Sequence, residues 1–300
     1  MFAAVIVTYN RKELLGVNIH MLLRQTLPFD KIFIVDNCST DGTYEYLEEQ
    51  GWMSEQRFVY TKTEVNIGGA GGFYIGMKLA FEEGADYIVL MDDDGVAASS
   101  ETFEKLFRAA EVIHEENPLL FVNSLVQQGD MLSFKMGNKY TVKEALAEAQ
   151  NGLLEGEANP FNGTLVSREL VEKIGYPNAA FFIKGDEVNY KQRAFAAGAR
   201  VVTVVESRYV HPRPNTYERV VLGNKVPFFV EAPWKEYYAA RNFTWMYKQQ
   251  RQYKAIAFEL VFVKILAILS MDCKKWDTLK MLCKGVCHGW KGVLGATVKP

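Results

Sequence analysis

Short apolar runs alternate with helical patterns along the first hundred residues. Residues 3–7, 31–35, 57–62 and 87–91 are short segments of mostly apolar and β-branched residues, whereas residues 11–23 and 72–83 repeat apolar positions at helical spacing. Strands that alternate with helices are typical of a mostly parallel sheet flanked by helices. The pattern therefore predicts a Rossmann-like α/β fold, in which ligands bind at the carboxyl ends of the strands.

The alternation is looser after residue 94. The predicted elements are helices at 101–116, 142–151, 167–174 and 187–197, strands at 119–125 and 200–205, and a hairpin at 131–140. From residue 233 onward the pattern is helical. The second half is therefore expected to complete the α/β domain and to end in a helical region.

The composition fits a folded domain, and the charge is unevenly distributed. The 300 residues are 49% hydrophobic with a formal net charge of -2, so the chain can bury a core and gives no reason to expect nucleic acid as a partner. Residues 248–300 nevertheless contain ten Lys and Arg against three Asp and Glu. Such a basic tail favours an anionic surface as its neighbour.

The sequence contains no signal-peptide pattern and no run long enough for a spanning helix. The N-terminal apolar run is short, and the longest run, 256–271, is interrupted by two charges and falls below the roughly 20 apolar residues of a membrane span. The cysteines form no Cys-x-x-Cys pair, which favours reduced thiols over a zinc site; they are Cys38, Cys273, Cys283 and Cys287. We therefore expect the folded domain to lie in the cytoplasm.

Three adjacent carboxylates, Asp92, Asp93 and Asp94, follow the predicted strand at 87–91. Adjacent carboxylates repel one another unless a cation is present. Hard oxygen ligands suit Mg²⁺ or Mn²⁺, which would also bind a diphosphate. The alternative is an exposed acidic turn, but the neighbouring loops favour a metal site.

Polar residues also follow the first two predicted strands. Thr8, Tyr9, Asn10 and Arg11 come after the first strand, and Asp36 and Asn37 come after the second. Parallel strands bring these loops to the same sheet edge as the three aspartates. An aspartate there can accept the ring N–H of a pyrimidine base, and Arg11 can approach phosphates. Together they predict a nucleotide pocket, although each one alone could be a turn or a helix cap.

A glycine-dense run, Gly-Gly-Ala-Gly-Gly, begins two residues after Asn66. Glycines let the backbone approach a ligand closely at a helix N-terminus. The run matches neither the dinucleotide fingerprint nor the P-loop. We expect Asn66 and Gly69 to contact the nucleotide, and the alternative is a close contact between a helix and the sheet.

Taken in order, these motifs resemble the inverting glycosyltransferase family 2, whose members have a GT-A fold. The resemblance rests on Thr-Tyr-Asn-Arg from residue 8, Val-Asp-Asn-x-Ser-x-Asp-Gly-Thr from residue 35, Asn-x-Gly-Gly-x-Gly-Gly-Phe from residue 66, and Asp-Asp-Asp from residue 92. It covers about residues 3 to 245. The glycine-dense form is most similar to bacterial galactofuranosyltransferases, since related rhamnosyltransferases usually have fewer glycines there.

The resemblance implies the catalytic and metal-binding residues. Members of the family place a catalytic carboxylate just before a helix, and Asp186 matches that position. In similar enzymes a histidine at the place of His211 completes the metal site with the last aspartate of the triplet. We therefore expect Asp186 to be the base and Asp92, Asp94 and His211 to bind Mn²⁺ or Mg²⁺, while Asp92 and Asp93 contact the nucleotide sugar. The alternative role of Asp186 is an N-cap for the following helix.

Two aromatic segments are similar to the acceptor-binding parts of the family. The first is Phe-Asn-Gly-Thr from residue 161, where some relatives have Trp in place of the Phe. The second, from residue 237, is similar to the Tyr-Tyr-x-x-Arg-Asn of galactofuranosyl- and rhamnosyltransferases. Core packing explains the tyrosines as well. The implied acceptor site consists of Phe161, Asn162, Gly163, Glu187, Trp234, Tyr238 and Arg241.

The expected reaction is a metal-dependent, inverting transfer of a sugar, namely galactofuranose from UDP-galactofuranose, to a glycan or lipid-linked glycan in bacterial polysaccharide synthesis. Asp186 would take the proton of the attacking hydroxyl, and the cation would offset the charge on the leaving UDP. One alternative is a dTDP-rhamnose donor. The other is a catalytically silent sugar-nucleotide-binding subunit of a polysaccharide assembly complex.

The expected organisation is a GT-A catalytic domain at residues 1–232, with a nucleotide-binding half at 1–98 and an acceptor half at 99–232, followed by a helical region at 233–300. Within that region, residues 251–291 mix lysines with apolar residues at helical spacing. Basic amphipathic helices lie on anionic membrane surfaces, and the same pattern fits a cap on the domain or on a second copy of the chain. We expect an enzyme at the inner face of the cell membrane, with a homo-oligomer as the alternative use of these helices.

Overall fold

The computed structural model describes residues 1–214, 216–221, 224–229, 231–249, 254–271 and 274–299, with the backbone alone at 216–219, 221, 224–229 and 254–260. The chain forms two compact units. The first unit contains Met1–Pro177 and Tyr190–Arg213, and the second contains Asn178–Asn189 and Pro214–Pro300. Cys273 and residues 251–253 of the predicted basic tail lie outside the described residues. The predicted functional division at residue 232 stays a prediction.

The first unit is a sheet with helices on its faces. Its strands are β1 (Phe2–Thr8), β2 (Lys31–Asp36), β3 (Phe58–Lys62), β4 (Tyr87–Asp92), β5 (Val96–Ala97), β6 (Leu120–Gln128), β7 (Met131–Met136), β8 (Lys139–Thr141), β9 (Leu153–Glu155), β10 (Asn162–Ser167) and β11 (Arg200–Val210). Its helices are α1 (Lys12–Leu22), α2 (Thr43–Glu49), α3 (Gly68–Glu82), α4 (Thr102–Glu116), α5 (Val142–Glu148) and α6 (Arg168–Ile174), and α7 (Asp186–Ala196) begins in the second unit and ends in the first.

Most strands of the central sheet run in one direction. The order is β3-β2-β1-β4-β10-β6-β11-β5. Strand β1 is parallel to β2 and β4, and β2 is parallel to β3. Because β10 is antiparallel to both β4 and β6, and β11 is parallel to β6, the strands β6 and β11 run the same way as β4. The carboxyl ends of these strands therefore lie along one edge, where open α/β sheets bind ligands.

Apolar side chains on both faces of β1 explain its central place. All seven of its residues are buried, as is typical of parallel strands covered by helices on both sides. On one face Ile6 packs in a cluster with Leu15 of α1, and on the other Val5 and Val7 pack with Phe73 of α3. This two-sided core fixes where the strand ends and where its polar loop begins.

Most predicted elements are present, and the differences have local causes. Helix α3 begins at Gly68 rather than at residue 72, because the glycines of the run lie inside the helix. Strand β11 continues to Val210 instead of ending at residue 205. The sequence pattern missed β10 because its polar Asn-Gly-Thr start resembles a loop. The neighbouring strands β4 and β6 make it a strand by supplying hydrogen-bond partners on both sides.

The second unit contains a hairpin and a helical region. Its further elements are β12 (Thr216–Val221), β13 (Asn224–Phe229), α8 (Pro233–Gln249), α9 (Lys254–Leu269) and α10 (Lys275–Lys291). Helices α8 and α10 approach closely: a Cβ at Gly285 would lie 2.4 Å from the Tyr237 carbonyl oxygen, and one at Gly289 would lie 2.2 Å from the Arg241 carbonyl oxygen. The predicted helical C-terminal region is thus confirmed. In the part of the chain that the structure describes, no helix has the length and apolar character to cross a membrane.

Candidate active site

The sheet brings three predicted loops to one edge. In the ladder, Val7 lies opposite Asp92, and Thr8 lies opposite Asp36. The residues that follow β1, β2 and β4 are therefore neighbours, although they are far apart in sequence. The proximity expected from parallel strands is present in the structure.

A short strand places His211 beside the aspartates. Strand β5 begins two residues after Asp94, and its Val96 pairs with Val210 at the end of β11. As a result, the Nε2 atom of His211 lies 3.3 Å from Oδ1 of Asp94. One ligand atom from each of Asp92, Asp94 and His211 lies within 4.8 Å of the other two. The predicted metal-binding residues thus form a cluster.

A backbone carbonyl fixes the imidazole ring of His211. Its Nδ1 atom lies 2.7 Å from the Pro212 carbonyl oxygen. When Nδ1 carries the proton and donates it there, Nε2 keeps a lone pair directed toward Asp94, as in histidines that bind metals. Burial lowers the pKa of His211, but the carboxylate of Asp94 outweighs this and raises it above the usual value.

The carboxylates of Asp92, Asp93 and Asp94 are largely buried, so their mutual repulsion is only partly screened by water. Burial first, and then the charges of Asp94 and Asp93, raise the pKa of Asp92 well above that of a free aspartate. Burial also raises the pKa of Asp93, although Arg11 opposes it. At Asp94 burial acts in the same direction, but His211 and Arg11 outweigh it and the pKa is lowered. Two carboxylates and an imidazole with surplus negative charge are a donor set that fits Mn²⁺ or Mg²⁺.

Arg11 and Thr8 contact the same aspartates from the loop after β1. The Nη1 atom of Arg11 lies 3.1 Å from Oδ1 of Asp93 and 2.7 Å from Oδ2 of Asp94. The Thr8 hydroxyl donates to Oδ2 of Asp93 at 2.8 Å. The Arg11 side chain is 46% exposed, so an anionic ligand can reach its guanidinium. A cavity of about 200 Å³, lined in part by Asp93, Asp94 and Gln128, adjoins these residues.

Hydrogen bonds join the loops after β1 and β2. The backbone N–H of Asn10 donates to the Ser39 hydroxyl at 2.8 Å, and the Asn10 side-chain oxygen accepts from the Thr40 N–H at 2.7 Å. Tyr9, between the buried Thr8 and this contact, is 43% exposed. The two loops therefore form one connected rim with Tyr9 accessible on it.

Asp36 is fully buried at the end of β2. Its Oδ1 accepts from the Ser39 N–H at 2.7 Å, and its Oδ2 accepts from the Tyr60 hydroxyl. Burial, followed by the neighbouring Asp36, raises the pKa of Tyr60, so that this hydroxyl stays protonated. In this conformation Asp36 stabilises the turn after β2, and its contact with a base stays a prediction.

The glycine run has two different environments. A Cβ at Gly72 would lie 2.5 Å from Cγ1 of Val7, so this part of α3 lies directly on β1. A Cβ at Gly69 would meet no atom within 4 Å. The Asn66 side chain accepts from the Gly68 N–H at 2.8 Å and so stabilises the start of α3. The helix–sheet alternative is confirmed at Gly72, whereas ligand contact at Gly69 and Asn66 stays a prediction.

The predicted acceptor residues of the first unit differ in accessibility. Phe161 is 3% exposed and packs in the core beside α3. Asn162 pairs with Met91, the residue before Asp92, and its Oδ1 atom is buried with no hydrogen-bond partner within the described residues. Gly163 has φ of 67°, and a Cβ there would lie 3.0 Å from the Ser124 hydroxyl oxygen. Asn162 therefore has a buried polar atom that lacks a hydrogen-bond partner in the described part of the chain, in the strand next to the aspartates, whereas Phe161 is a core residue.

Asp186 is the first residue of α7 and belongs to the second unit. It is 5% exposed. The backbone N–H of Asn189 donates to the Gly185 carbonyl at 2.8 Å, so Gly185, with φ of 86°, occupies the cap position. The helix thus begins at Asp186, not after it as predicted, and the N-cap alternative is wrong for Asp186. Glu187 follows it and is partly buried.

The predicted acceptor residues of α8 are mostly internal. Tyr238 and Arg241 are fully buried. The Tyr238 ring stacks on Phe182 with centroids 4.8 Å apart, and its hydroxyl donates to the Val298 carbonyl at 2.6 Å. Trp234 is only partly buried and meets Tyr238 edge to face at 6.2 Å. A side chain without exposed surface does not reach a ligand in this conformation, so only Trp234 of the three is placed to touch an acceptor.

Sequence reasoning missed two fully buried polar residues behind the aspartates. The Asn18 side chain donates to the Asp92 carbonyl at 3.0 Å. The Tyr209 ring packs against Gly95, where a Cβ would lie 2.3 Å from it. The signal for Asn18 is present in the sequence, because it lies on the apolar face of α1 that Leu15 and Ile19 define.

Comparisons with known proteins give matches in sequence to one family and its members. The family model described as glycosyl transferase family 2 matches residues 3–148. Galactofuranosyltransferase GlfT1 of Mycobacterium tuberculosis is 29% identical over 265 residues, which are 85% of this chain and 85% of the relative.

Solved structures share the fold. Staphylococcus aureus TarS, residues 1–349 with UDP, has a TM-score of 0.52 at 14% identity, covering 97% of this chain and 72% of TarS. The mannosyltransferase PcManGT of Pyrobaculum calidifontis, in complex with GDP-Man and Mn²⁺, has a TM-score of 0.55 at 14% identity, covering 97% of this chain and 75% of that protein. Residues 3–148 are therefore a glycosyl transferase family 2 domain, and the chain is a glycosyltransferase with the GT-A fold.

Proposed function

We propose that the chain transfers galactofuranose from UDP-galactofuranose, with inversion, to a hydroxyl of a glycan or lipid-linked glycan, with Mn²⁺ or Mg²⁺ as cofactor. The observation that carries the proposal is the cluster of Asp92, Asp94 and His211 at the carboxyl edge of the sheet. The galactofuranose donor is supported by the similarity to the mycobacterial galactofuranosyltransferase. A dTDP-rhamnose donor is the alternative within the same reaction class.

Asp92, Asp94 and His211 would hold the cation. Bound there, a divalent cation offsets the negative charge that develops on the diphosphate of the leaving nucleotide. With the proton on Nδ1 and donated to the Pro212 carbonyl, Nε2 would be the ligand nitrogen. Asp93 accepts from Thr8 and Arg11 and would be the third carboxylate beside the nucleotide.

The loops after β1 and β2 would bind the nucleotide. The exposed guanidinium of Arg11 supplies a positive charge for the diphosphate. Tyr9 offers an accessible aromatic face on the connected rim. Asp36 at the base of that rim is fully buried, so it would accept the ring N–H of the pyrimidine only after its hydrogen-bonded turn with Ser39 opens. Asn66 and the open position at Gly69 would let the α3 N-terminus approach the sugar phosphate.

Asp186 would act as the base. As the acceptor oxygen attacks the anomeric carbon, the hydroxyl proton moves to a carboxylate oxygen of Asp186. The bond from the anomeric carbon to the UDP oxygen breaks in the same displacement, which inverts the configuration. Asn162, Gly163, Glu187 and Trp234 would contact the acceptor.

A donor assay tests the function. We expect purified protein with a glycan acceptor to release the nucleoside diphosphate, UDP, from UDP-galactofuranose in the presence of Mn²⁺, and to release neither dTDP from dTDP-rhamnose nor UDP from UDP-glucose. Release from dTDP-rhamnose alone would instead establish the rhamnosyl alternative. Asp186→Asn should lower turnover while donor binding, measured by calorimetry, stays unchanged. Donor binding with no release from any donor would favour a silent subunit.

We also propose that α10 contacts an anionic membrane surface. Its exposed residues lie at helical spacing and include three lysines and one aspartate: Trp276, Asp277, Lys280, Cys283, Lys284, Cys287, Trp290 and Lys291. The two tryptophans are 68% and 54% exposed, whereas Leu282 on the opposite side is buried. Aromatic residues with neighbouring lysines are typical of helices at a membrane interface.

Vesicle binding tests this surface. The full chain should co-sediment with phosphatidylglycerol vesicles, and the double substitution Trp276→Gln and Trp290→Gln should reduce the bound fraction. The control is Tyr140→Gln, because Tyr140 is 52% exposed in the hairpin of the first unit. If the tryptophan variant bound as well as the wild type but lost a dimer detected by light scattering, this surface would be a subunit interface instead.

A further inference from the structure

We propose that Arg241 and Asn242 are positioning residues for catalysis, which hold the backbone of residues 180–185 so that Asp186 has a fixed direction. The inference rests on the proposed role of Asp186 as the base. Both residues are on α8, and both have no exposed surface. They therefore act through the chain that leads into α7 and not by touching a substrate.

The segment before Asp186 has an unusual backbone conformation. Phe182 has φ of 65° and ψ of -64°, and the Ile183 N–H donates to the Phe181 carbonyl at 2.8 Å. These values define a γ-turn of positive φ, a strained conformation that is rare in proteins. Lys184 and Gly185 follow with φ of 68° and 86°. Positive φ at two non-glycine residues persists only where the surroundings hold the chain.

Two adjacent side chains hold this segment by its carbonyl groups. The Nη2 atom of Arg241 donates to the carbonyls of Ala180 and Phe181 at 3.1 and 2.8 Å. The amide nitrogen of Asn242 lies 3.0, 3.0 and 2.7 Å from the carbonyl oxygens of Phe181, Ile183 and Lys184. These contacts cover most of the carbonyl groups between Ala180 and the start of α7.

The two holding residues are themselves fixed. The Nε atom of Arg241 donates to the Asn242 side-chain oxygen at 2.8 Å. The guanidinium lies over the Tyr238 ring at 4.7 Å and donates through Nη1 to the Gly295 carbonyl. A planar guanidinium that makes parallel hydrogen bonds has a direction that a lysine ammonium lacks. The positions of the carbonyl oxygens therefore suit a planar guanidinium at residue 241 and a side-chain amide at residue 242.

The contacts of Arg241 and Asn242 thereby control the direction in which the Asp186 carboxylate points. The Lys184 carbonyl that Asn242 holds is two residues before Asp186, and the cap residue Gly185 lies between them. Any shift of this carbonyl rotates the first turn of α7 and, with it, the Asp186 side chain. A displacement of about 1 Å in a catalytic group can lower turnover on the order of 100-fold.

Asn242→Ala is the first test. It removes the amide that holds three carbonyls and leaves Asp186 in place. We expect kcat to fall on the order of 100-fold, the KM for the donor to stay within about twofold, and a cooperative thermal transition to remain above the assay temperature. Arg241→Lys is the second variant, because it keeps the charge and most of the volume if Asn242→Ala does not fold.

The matched control is Leu282→Ala on α10 of the same unit. Leu282 is 1% exposed and packs with Ala240 and Ile268, and its side chain has no polar atom that could hold a carbonyl. This variant should lose stability like Asn242→Ala but keep the kcat of the wild type. An equal fall in kcat for both variants would show that the loss follows general destabilisation, and the inference would be wrong.

Combining variants separates this inference from the proposed function. If Asn242 acts through Asp186, Asn242→Ala should lower kcat no further in the Asp186→Asn background. An independent, multiplied loss in the double variant would refute the positioning role. Full turnover of Asp186→Asn alone would instead refute Asp186 as the base, whereas a loss in Asp186→Asn together with full turnover of Asn242→Ala would refute the positioning role only.

Discussion

Arg11 and Arg241 show how two regions of this molecule use the same residue type differently. Arg11, in the first unit, is 46% exposed and contacts the carboxylates of Asp93 and Asp94. Arg241, in the second unit, is fully buried and donates mainly to backbone carbonyls. Both stand in motifs that suggested contact with a substrate. The difference shows that exposure and the type of partner, rather than the motif, separate a ligand-binding arginine from one that holds the backbone.

Replacing each arginine by alanine should give the largest contrast. Arg241→Ala leaves several buried carbonyls without a donor and opens a cavity, so we expect the free energy of unfolding to fall by about 4 kcal/mol. Arg11→Ala removes partly exposed ion pairs and should change it by less than about 1 kcal/mol, while raising the KM for the donor. Urea denaturation and steady-state kinetics measure both effects, and equal losses of stability would contradict the comparison.

The sequence was sufficient to predict much of the acidic site at the edge of the sheet, but little of the conformation of residues 180–185 before α7. Alternation of strands and helices, with polar loops after the strands, was enough to place Asp36 and Asp92 near each other. His211 came only from the resemblance, because its approach to Asp94 depends on the two-residue β5, which is too short to have a pattern. The internal role of Arg241 was not predictable, because its partners are backbone carbonyls, which any residue provides.

Adding Mn²⁺ should stabilise the folded protein by an amount intermediate among the predicted effects, and it should separate the metal-binding residues of the first unit from Asp186 of the second. At about 100 times its dissociation constant, a ligand that binds only the folded state stabilises it by about 2.7 kcal/mol. We expect this for the wild type, with loss of the effect in His211→Ala and after addition of EDTA. Asp186→Asn, a change in the second unit, should keep it. Thermal denaturation during a Mn²⁺ titration is the measurement, and stabilisation of His211→Ala equal to that of the wild type would remove His211 from the metal site.

The smallest expected effect comes from two glycines of one motif. They test again whether a residue contacts a ligand, as proposed for Arg11, or serves the packing of the protein, as Arg241 does. Gly72 and Gly69 lie three residues apart at the start of α3, but only a Cβ at Gly72 would contact β1 closely, at 2.5 Å from Val7. Gly72→Ala should therefore lower the free energy of unfolding by about 1–3 kcal/mol, because the helix must move away from the sheet. Gly69→Ala meets open space and gains up to about 1 kcal/mol of helix propensity, so its stability should be unchanged or slightly higher. A higher donor KM in Gly69→Ala at unchanged stability would place this glycine with Arg11 on the ligand side. An unchanged KM would mean that Gly69 does not contact the donor, and that of these two glycines only Gly72 has an identified role, the packing of α3 on β1.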